Sequence, residues 1–123
     1  MQLGLAAWHR FIASGDAELL ADLLAEDVVF LSPIHDEAQH GRDALMAYML
    51  ASIEVFGSKS GIRYIRELTN GSEVSLEFEA TLDGTVINGV DLIQFDLEGR
   101  IIDFRAFIRP LSAATLLKER LTA

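Results

Sequence analysis

The sequence predicts an α+β domain: helices packed on one side of a curved antiparallel sheet. Three observations predict it. Apolar residues in the first half recur at helical spacing, those in the second half alternate with polar ones, and turn signals punctuate that second half at regular intervals. Helices followed by a run of strands make an α+β arrangement, in which the sheet buries one face against the helices.

Each element follows from its residues. Leu5, Trp8 and Ile12, with Phe11 beside them, form the stripe of a first helix, which Ser14-Gly15 breaks. Asp16 suits the N-cap of a second helix with Leu19, Leu20, Leu23 and Leu24 on its apolar side, ending at Glu26-Asp27. Residues 28–32 (VVFLS) read as a short strand stopped by Pro33, and IHDEAQHG as a polar loop. A third helix spans about 42–56, with Leu45, Met49, Ser52, Ile53 and Phe56 along one side and Gly57 as its stop. Residues 62–68 open a four-strand meander, with Arg66 expected on the face of Tyr64 and Leu68. Val74, Leu76, Phe78 and Ala80 alternate with polar residues in the next strand, and Asp83-Gly84 is a hairpin signal. Residues 85–96 and 100–109 complete the meander, the last with Ile102, Phe104, Ala106 and Ile108 on one face. Residues 112–121 suit a short terminal helix.

Composition excludes several functions. The chain has 123 residues, enough for one domain over 1–123 with one core. A net charge of −9, with ten scattered basic residues, argues against a nucleic-acid partner. With no cysteine, thiol catalysis, disulfides and Cys-ligated metals are excluded. No apolar run is long enough to span a bilayer, so no membrane partner is expected, and a cytoplasmic location is the default. No cofactor is expected.

One residue stands out. In NGVDLIQFD, residues 88–96, strand alternation puts Asp91 on the face of Ile87, Gly89, Ile93 and Phe95. It is the one ionisable residue on the inferred inner faces of three strands. An apolar setting disfavours its charged form, so it suits a hydrogen-bond donor or a general base. The structural alternative is a strut, with Asp91 bonded to a buried donor such as Trp8 Nε1 or Tyr64. The histidines of HDEAQH are five residues apart, which fits no helical metal face. Tyr48 and Tyr64 either line a pocket or pack in the core. Val90, Leu92 and Phe107, among Asn88, Gln94, Arg105 and Arg109, give the outer sheet face an apolar centre and a polar rim.

The stretches GDAELLADLLAEDVVFLSP, GRDALMAYM and NGVDLIQFDLEGRIIDFRAFIRP, in that order, resemble the nuclear transport factor 2-like superfamily, which includes SnoaL-like and ketosteroid isomerase-like proteins. The resemblance implies the cystatin-like cone around an apolar pocket, a small apolar ligand, and a homodimer through the outer sheet face. In ketosteroid isomerases an aspartic acid at the position matching Asp91 donates to the substrate oxyanion. The isomerase base position is Ser32 here, and its helix tyrosine falls near Trp8, so isomerisation by that mechanism lacks two groups. The resemblance also puts His35 at the pocket mouth as an acid or base. The expected site is thus Asp91 and His35 for chemistry, with Trp8, Ser32, Tyr48, Tyr64, Ile93, Phe104 and Ala106 around a ligand. Three functions remain open: a ligand-binding pocket, an isomerase, cyclase or hydrolase using Asp91, and a dimeric module with a filled core.

Overall fold

The computed structural model describes residues 3–56 and 61–122; the expected helix stop at Gly57 lies outside them. Three helices and two strands come first: α1 (Leu3–Ser14), α2 (Ala17–Leu23), β1 (Leu24–Leu31), β2 (Gln39–His40) and α3 (Arg42–Phe56). The meander follows as β3 (Ile62–Asn70), β4 (Glu73–Leu82), β5 (Thr85–Phe95) and β6 (Ile101–Arg109), and α4 (Leu111–Leu121) ends the fold.

Local chemistry sets the boundaries. The Asp16 carboxylate accepts from the Glu18 amide at 2.9 Å, capping α2 as its position predicts. Asp83 and Gly84 both have positive φ, 51° and 79°, as the tight β4–β5 hairpin requires. The second helix is shorter than expected. Leu24 begins a strand, and Glu26 and Asp27 lie within β1 rather than at a helix end. A short apolar run such as LLAEDVV fits either element, and pairing with the sheet decides it. His40 also leaves the expected loop, joining β2 opposite Val29.

The six strands form one sheet in the order β2-β1-β6-β5-β4-β3. The sheet is mixed, because β1 runs parallel to β6 while the other neighbours are antiparallel. Two irregularities correct the expected faces. In β3, Tyr64 pairs with Phe78 but Arg66 pairs with Glu77, so Ile65 is an extra residue. Arg66 and Leu68 therefore turn to the outer face, away from Tyr64. At the start of β6, Phe95 pairs with Ile101 while Gln94 pairs with Asp103, so Ile101 takes the buried place expected for Ile102.

Helices cover one face of this sheet. The core beneath them is aromatic: the Trp8 ring lies 5.5 Å from Phe11 and 5.2 Å from Phe104, and Phe30 lies 4.8 Å from Tyr48. Aromatic side chains in such tilted contact contribute beyond their buried area. A second, smaller cluster of Phe78, Leu82, Ile87 and Ala113 seats α4 over the open end of the cone. The Arg120–Asp83 ion pair ties α4 to the β4–β5 hairpin.

Candidate functional site

The inner face of the sheet is a set of rows running across the strands. One row is Glu67, Leu76, Asp91 and Ala106. The parallel pairing of Leu31 with Arg105 brings Ser32 to the end of this row beside Ala106. The adjacent row is Tyr64, Phe78, Gly89 and Ile108. Gly89 is required there: an added Cβ would lie 2.4 Å from the Phe78 ring and 2.5 Å from the Phe107 carbonyl oxygen.

Strand alternation holds along β5, and Asp91 is buried at 6% exposure. Tyr64 reaches from its row and donates its hydroxyl to Asp91 Oδ2 at 3.0 Å. Trp8 Nε1 donates to the same Tyr64 oxygen at 2.9 Å. The two donors named for the structural strut thus form one chain, Trp8 to Tyr64 to Asp91. Burial pushes the Asp91 carboxyl up to about 7, and the Tyr64 hydrogen bond pulls the other way. Burial, then the nearby Asp91 charge, raises the Tyr64 and Tyr48 hydroxyls above the ordinary tyrosine value.

The strut occupies one carboxyl oxygen. The carboxyl also borders a cavity of about 20 Å³, whose walls include Tyr48, Ser52, Phe78, Ile108 and Leu117. That is room for about one water molecule. Core aromatics and α4 fill most of the expected pocket. Trp8, Ile93 and Phe104 lie in the packed core and do not border this cavity, whereas Tyr48 does. Tyr64 meets Asp91 through its hydroxyl, and Ala106 lines a different cleft.

That cleft, about 310 Å³, is bordered by Ser32, His35, Asp36, Ala106 and Ile108. Ser32 Oγ accepts the Ile34 and His35 amides at 3.1 and 3.0 Å and lies 2.6 Å from His35 Nδ1. Two amides fill both lone pairs of the hydroxyl, so its proton goes to Nδ1. The neutral His35 ring then carries its own proton on Nε2. Among the described residues no group of three or more His, Cys, Asp or Glu side chains is placed to hold a metal.

Sequence reasoning missed Ser52, Ile108 and Leu117 as walls of the Asp91 cavity. Ser52, four residues after Tyr48 on the same helix face, carried a signal as a hydroxyl within an apolar stripe. Its Oγ donates to the Tyr48 carbonyl at 2.8 Å. Leu117 carried none, because only the docking of α4 brings it to Asp91.

The outer face has its own rows: Arg66, Glu77, Val90 and Phe107, then Leu68, Ser75, Leu92 and Arg105. Phe107 is 53% exposed and Leu68 61%, which leaves apolar area uncovered on this face. A groove of about 440 Å³ runs along the second row.

A buried carboxylic acid inside a helix-covered, bent sheet defines the class: an α+β cone with a polar group on its inner wall. The profile of the SnoaL-like domain family matches residues 5–104, and the chain belongs to that family. Two solved structures are especially similar. A steroid Δ-isomerase from Pseudomonas aeruginosa shares 35% identity at a TM-score of 0.89, over 97% of this chain and 86% of that one. A protein with a cystatin-like fold from Silicibacter pomeroyi DSS-3 shares 32% identity at a TM-score of 0.89, over 99% of this chain and 84% of that one. A putative SnoaL-like polyketide cyclase from Jannaschia sp. CCS1, at 14% identity and a TM-score of 0.72 over 94% and 91% of the two chains, shares the fold. No curated protein matches the chain. No helix among the described residues is long and apolar enough to cross a membrane.

Proposed function

We propose that the protein binds a small apolar molecule bearing a carbonyl or similar acceptor, with the neutral Asp91 carboxyl as its hydrogen-bond donor. The observation that carries this reading is the position of Asp91. It is buried among apolar residues, held on one side by Tyr64, and borders a cavity on another. A ligand enters by displacing side chains that now close the cavity, Ile108 from β6 and Leu117 from α4.

The test uses 2-acetylnaphthalene, a fluorescent ketone with one acceptor. Its affinity for the native protein should fall about tenfold per pH unit once Asp91 ionises, above pH 7. Asp91→Asn keeps an N–H donor and should bind with no such pH dependence, while Asp91→Leu should not bind. Equal binding by native protein and Asp91→Leu would remove the anchor.

Proton transfer is the second reading. A carboxyl near 7 populates both forms at neutral pH, which suits acid–base work. The similarity to a steroid Δ-isomerase makes a steroid the first substrate class to assay. Ser32 is committed to His35 and two amides, so a substrate proton would have to pass through Asp91 itself.

We also propose a second copy of the chain against the outer sheet face. Val90, Leu92 and Phe107 supply the apolar centre, and the flanking Arg66, Glu77, Asp103 and Arg105 supply both signs of charge. A two-fold contact meets its own surface, so mixed charges let it close despite the net charge of −9.

A further inference from the structure

The hydrogen-bond chain from Trp8 to Asp91 has a direction. An indole N–H donates and has no means of accepting, so Trp8 Nε1, 2.9 Å from Tyr64 Oη, directs its proton at that oxygen. Tyr64 has one proton of its own, and Asp91 Oδ2 at 3.0 Å is the acceptor its hydroxyl meets among the described residues. Left to themselves, a phenol and a neutral carboxylic acid pair the other way, because the acid is the stronger donor. Here that pairing would put two donors on Oη and leave the phenol proton buried without an acceptor, which is the costly arrangement. Oδ2 therefore accepts, and a proton bound to Asp91 belongs to Oδ1. That oxygen has no partner among the described residues, yet packing does not seal it, and the cavity lies against this carboxyl. Other titratable groups face the chain without redirecting it. Tyr48 from α3 stands near Asp91, and His9 on α1, held by Glu67 on β3, sets its ring edge-on to the Tyr64 ring without bonding its hydroxyl.

We propose that Trp8 is a positioning residue: acting through Tyr64, it keeps the acidic proton of Asp91 on Oδ1, the oxygen left to the cavity. What this placement serves rests on the Asp91-anchored reading above. A ketone oxygen beside Asp91 meets a ready donor only if that proton is not already given to Tyr64. The indole thus acts through one hydroxyl on a ligand site that it does not border.

Neutron diffraction from deuterium-exchanged crystals at pD 5, below the Asp91 value of about 7, reads the proton directly. The native protein should show deuterium on Asp91 Oδ1, with the Tyr64 deuteron pointing at Oδ2. Deuterium on Oδ2 in the native protein overturns the proposal. Trp8→Phe removes the indole N–H and should move the deuterium to Oδ2, in whole or in part. Placing 3-benzothienylalanine at position 8 keeps the bicyclic ring and removes only the N–H, so the test survives a folding defect in the phenylalanine variant. Deuterium wholly on Oδ1 in these variants would show that Trp8 does not position it. Phe11→Leu loosens the core beside Trp8 without touching the chain, and should leave the deuterium on Oδ1. Movement there too would reduce Trp8 to a packing role. In solution at pH 5, either position-8 variant should bind 2-acetylnaphthalene about threefold more weakly than the native protein, and Phe11→Leu should bind it equally well. Unchanged affinity alongside a moved deuterium would overturn the role in binding. If the native protein binds no ketone, the anchored reading falls, while the diffraction result still decides what Trp8 does to Asp91.

Discussion

Tyr64 Oη donates to Asp91 Oδ2 at 3.0 Å, joining the edge strand β3 to β5 across the inner face of β4. The same oxygen accepts from Trp8 at 2.9 Å. One hydroxyl therefore links α1, the sheet edge and the buried acid, and it loosens the hold of Asp91 on its proton against the larger effect of burial.

Tyr64→Phe removes that hydroxyl. Trp8 Nε1 is left a buried donor without its acceptor, at a cost of about 1–3 kcal/mol. Urea denaturation measures this. The Asp91 carboxyl should move above its native position near 7, since the lost hydrogen bond was the influence lowering it. A carbon-detected NMR titration of that carboxyl reads the direction, and a downward shift would contradict the account.

Stability should carry the mark of Asp91 in its pH dependence. Its folded value near 7 stands above the ordinary 3.8, so the folded state binds the extra proton between them. The favourable contribution is fully present below about pH 4, declines as pH rises, and is gone above about pH 7. The loss is on the order of 4 kcal/mol, from about 1.4 kcal/mol per pH unit over that window. Because Asp91→Asn cannot ionise, the difference in unfolding free energy between it and the native protein isolates the effect. A difference constant from pH 4 to 8 would show that Asp91 does not titrate this way.

Gly89→Ala should destabilise by about 1–3 kcal/mol. The new Cβ meets a backbone carbonyl at 2.5 Å as well as the Phe78 ring, and the carbonyl belongs to the β5–β6 ladder. Thermal unfolding checks it; a variant as stable as the native protein would mean the two strands can part without cost.

His9 and Glu67 form a contrasting pair at 2.7 Å, with side chains 41% and 43% exposed. Glu67→Gln should cost less than about 1 kcal/mol, and less still in high salt. A larger loss would place this pair among the structural contacts rather than on the surface.

The proposed second copy has its own measurement. Leu92→Glu puts a charge at the centre of the outer face, 40% exposed and away from the core. Light scattering should show a dimer for the native chain and a monomer for the variant, with the fold retained by circular dichroism. A native monomer at all concentrations ends that proposal.

The inward placement of Asp91 was legible because β5 alternates without a bulge up to Gln94. The same alternation misplaced Arg66, Leu68 and Ile102, since an extra residue in a strand leaves no mark in the hydrophobic pattern. Trp8 and Tyr64 were both candidate donors in the sequence, but their order was not, because the Tyr64 hydroxyl meets Asp91 across 27 residues and the Trp8 indole meets Tyr64 across 56, contacts that depend on how β3 and α1 lie over the sheet. The near-closure of the cavity was illegible for the same reason: it comes from where α4 docks. The Ser32–His35 contact is local, and its three-residue spacing around Pro33 was visible without its geometry.

The extra residue at Ile65 has a consequence for reading related chains. It swaps the sides of everything after it in β3, so that Glu67 faces His9 and Arg66 faces Glu77. A relative one residue shorter at this point would present the opposite set, and a gap placed elsewhere in β3 would equate inner-face positions with outer-face ones. Any comparison of residues 66–70 across the family should therefore be anchored on strand pairing, with the gap set at 65, before a difference there is taken for a change of function.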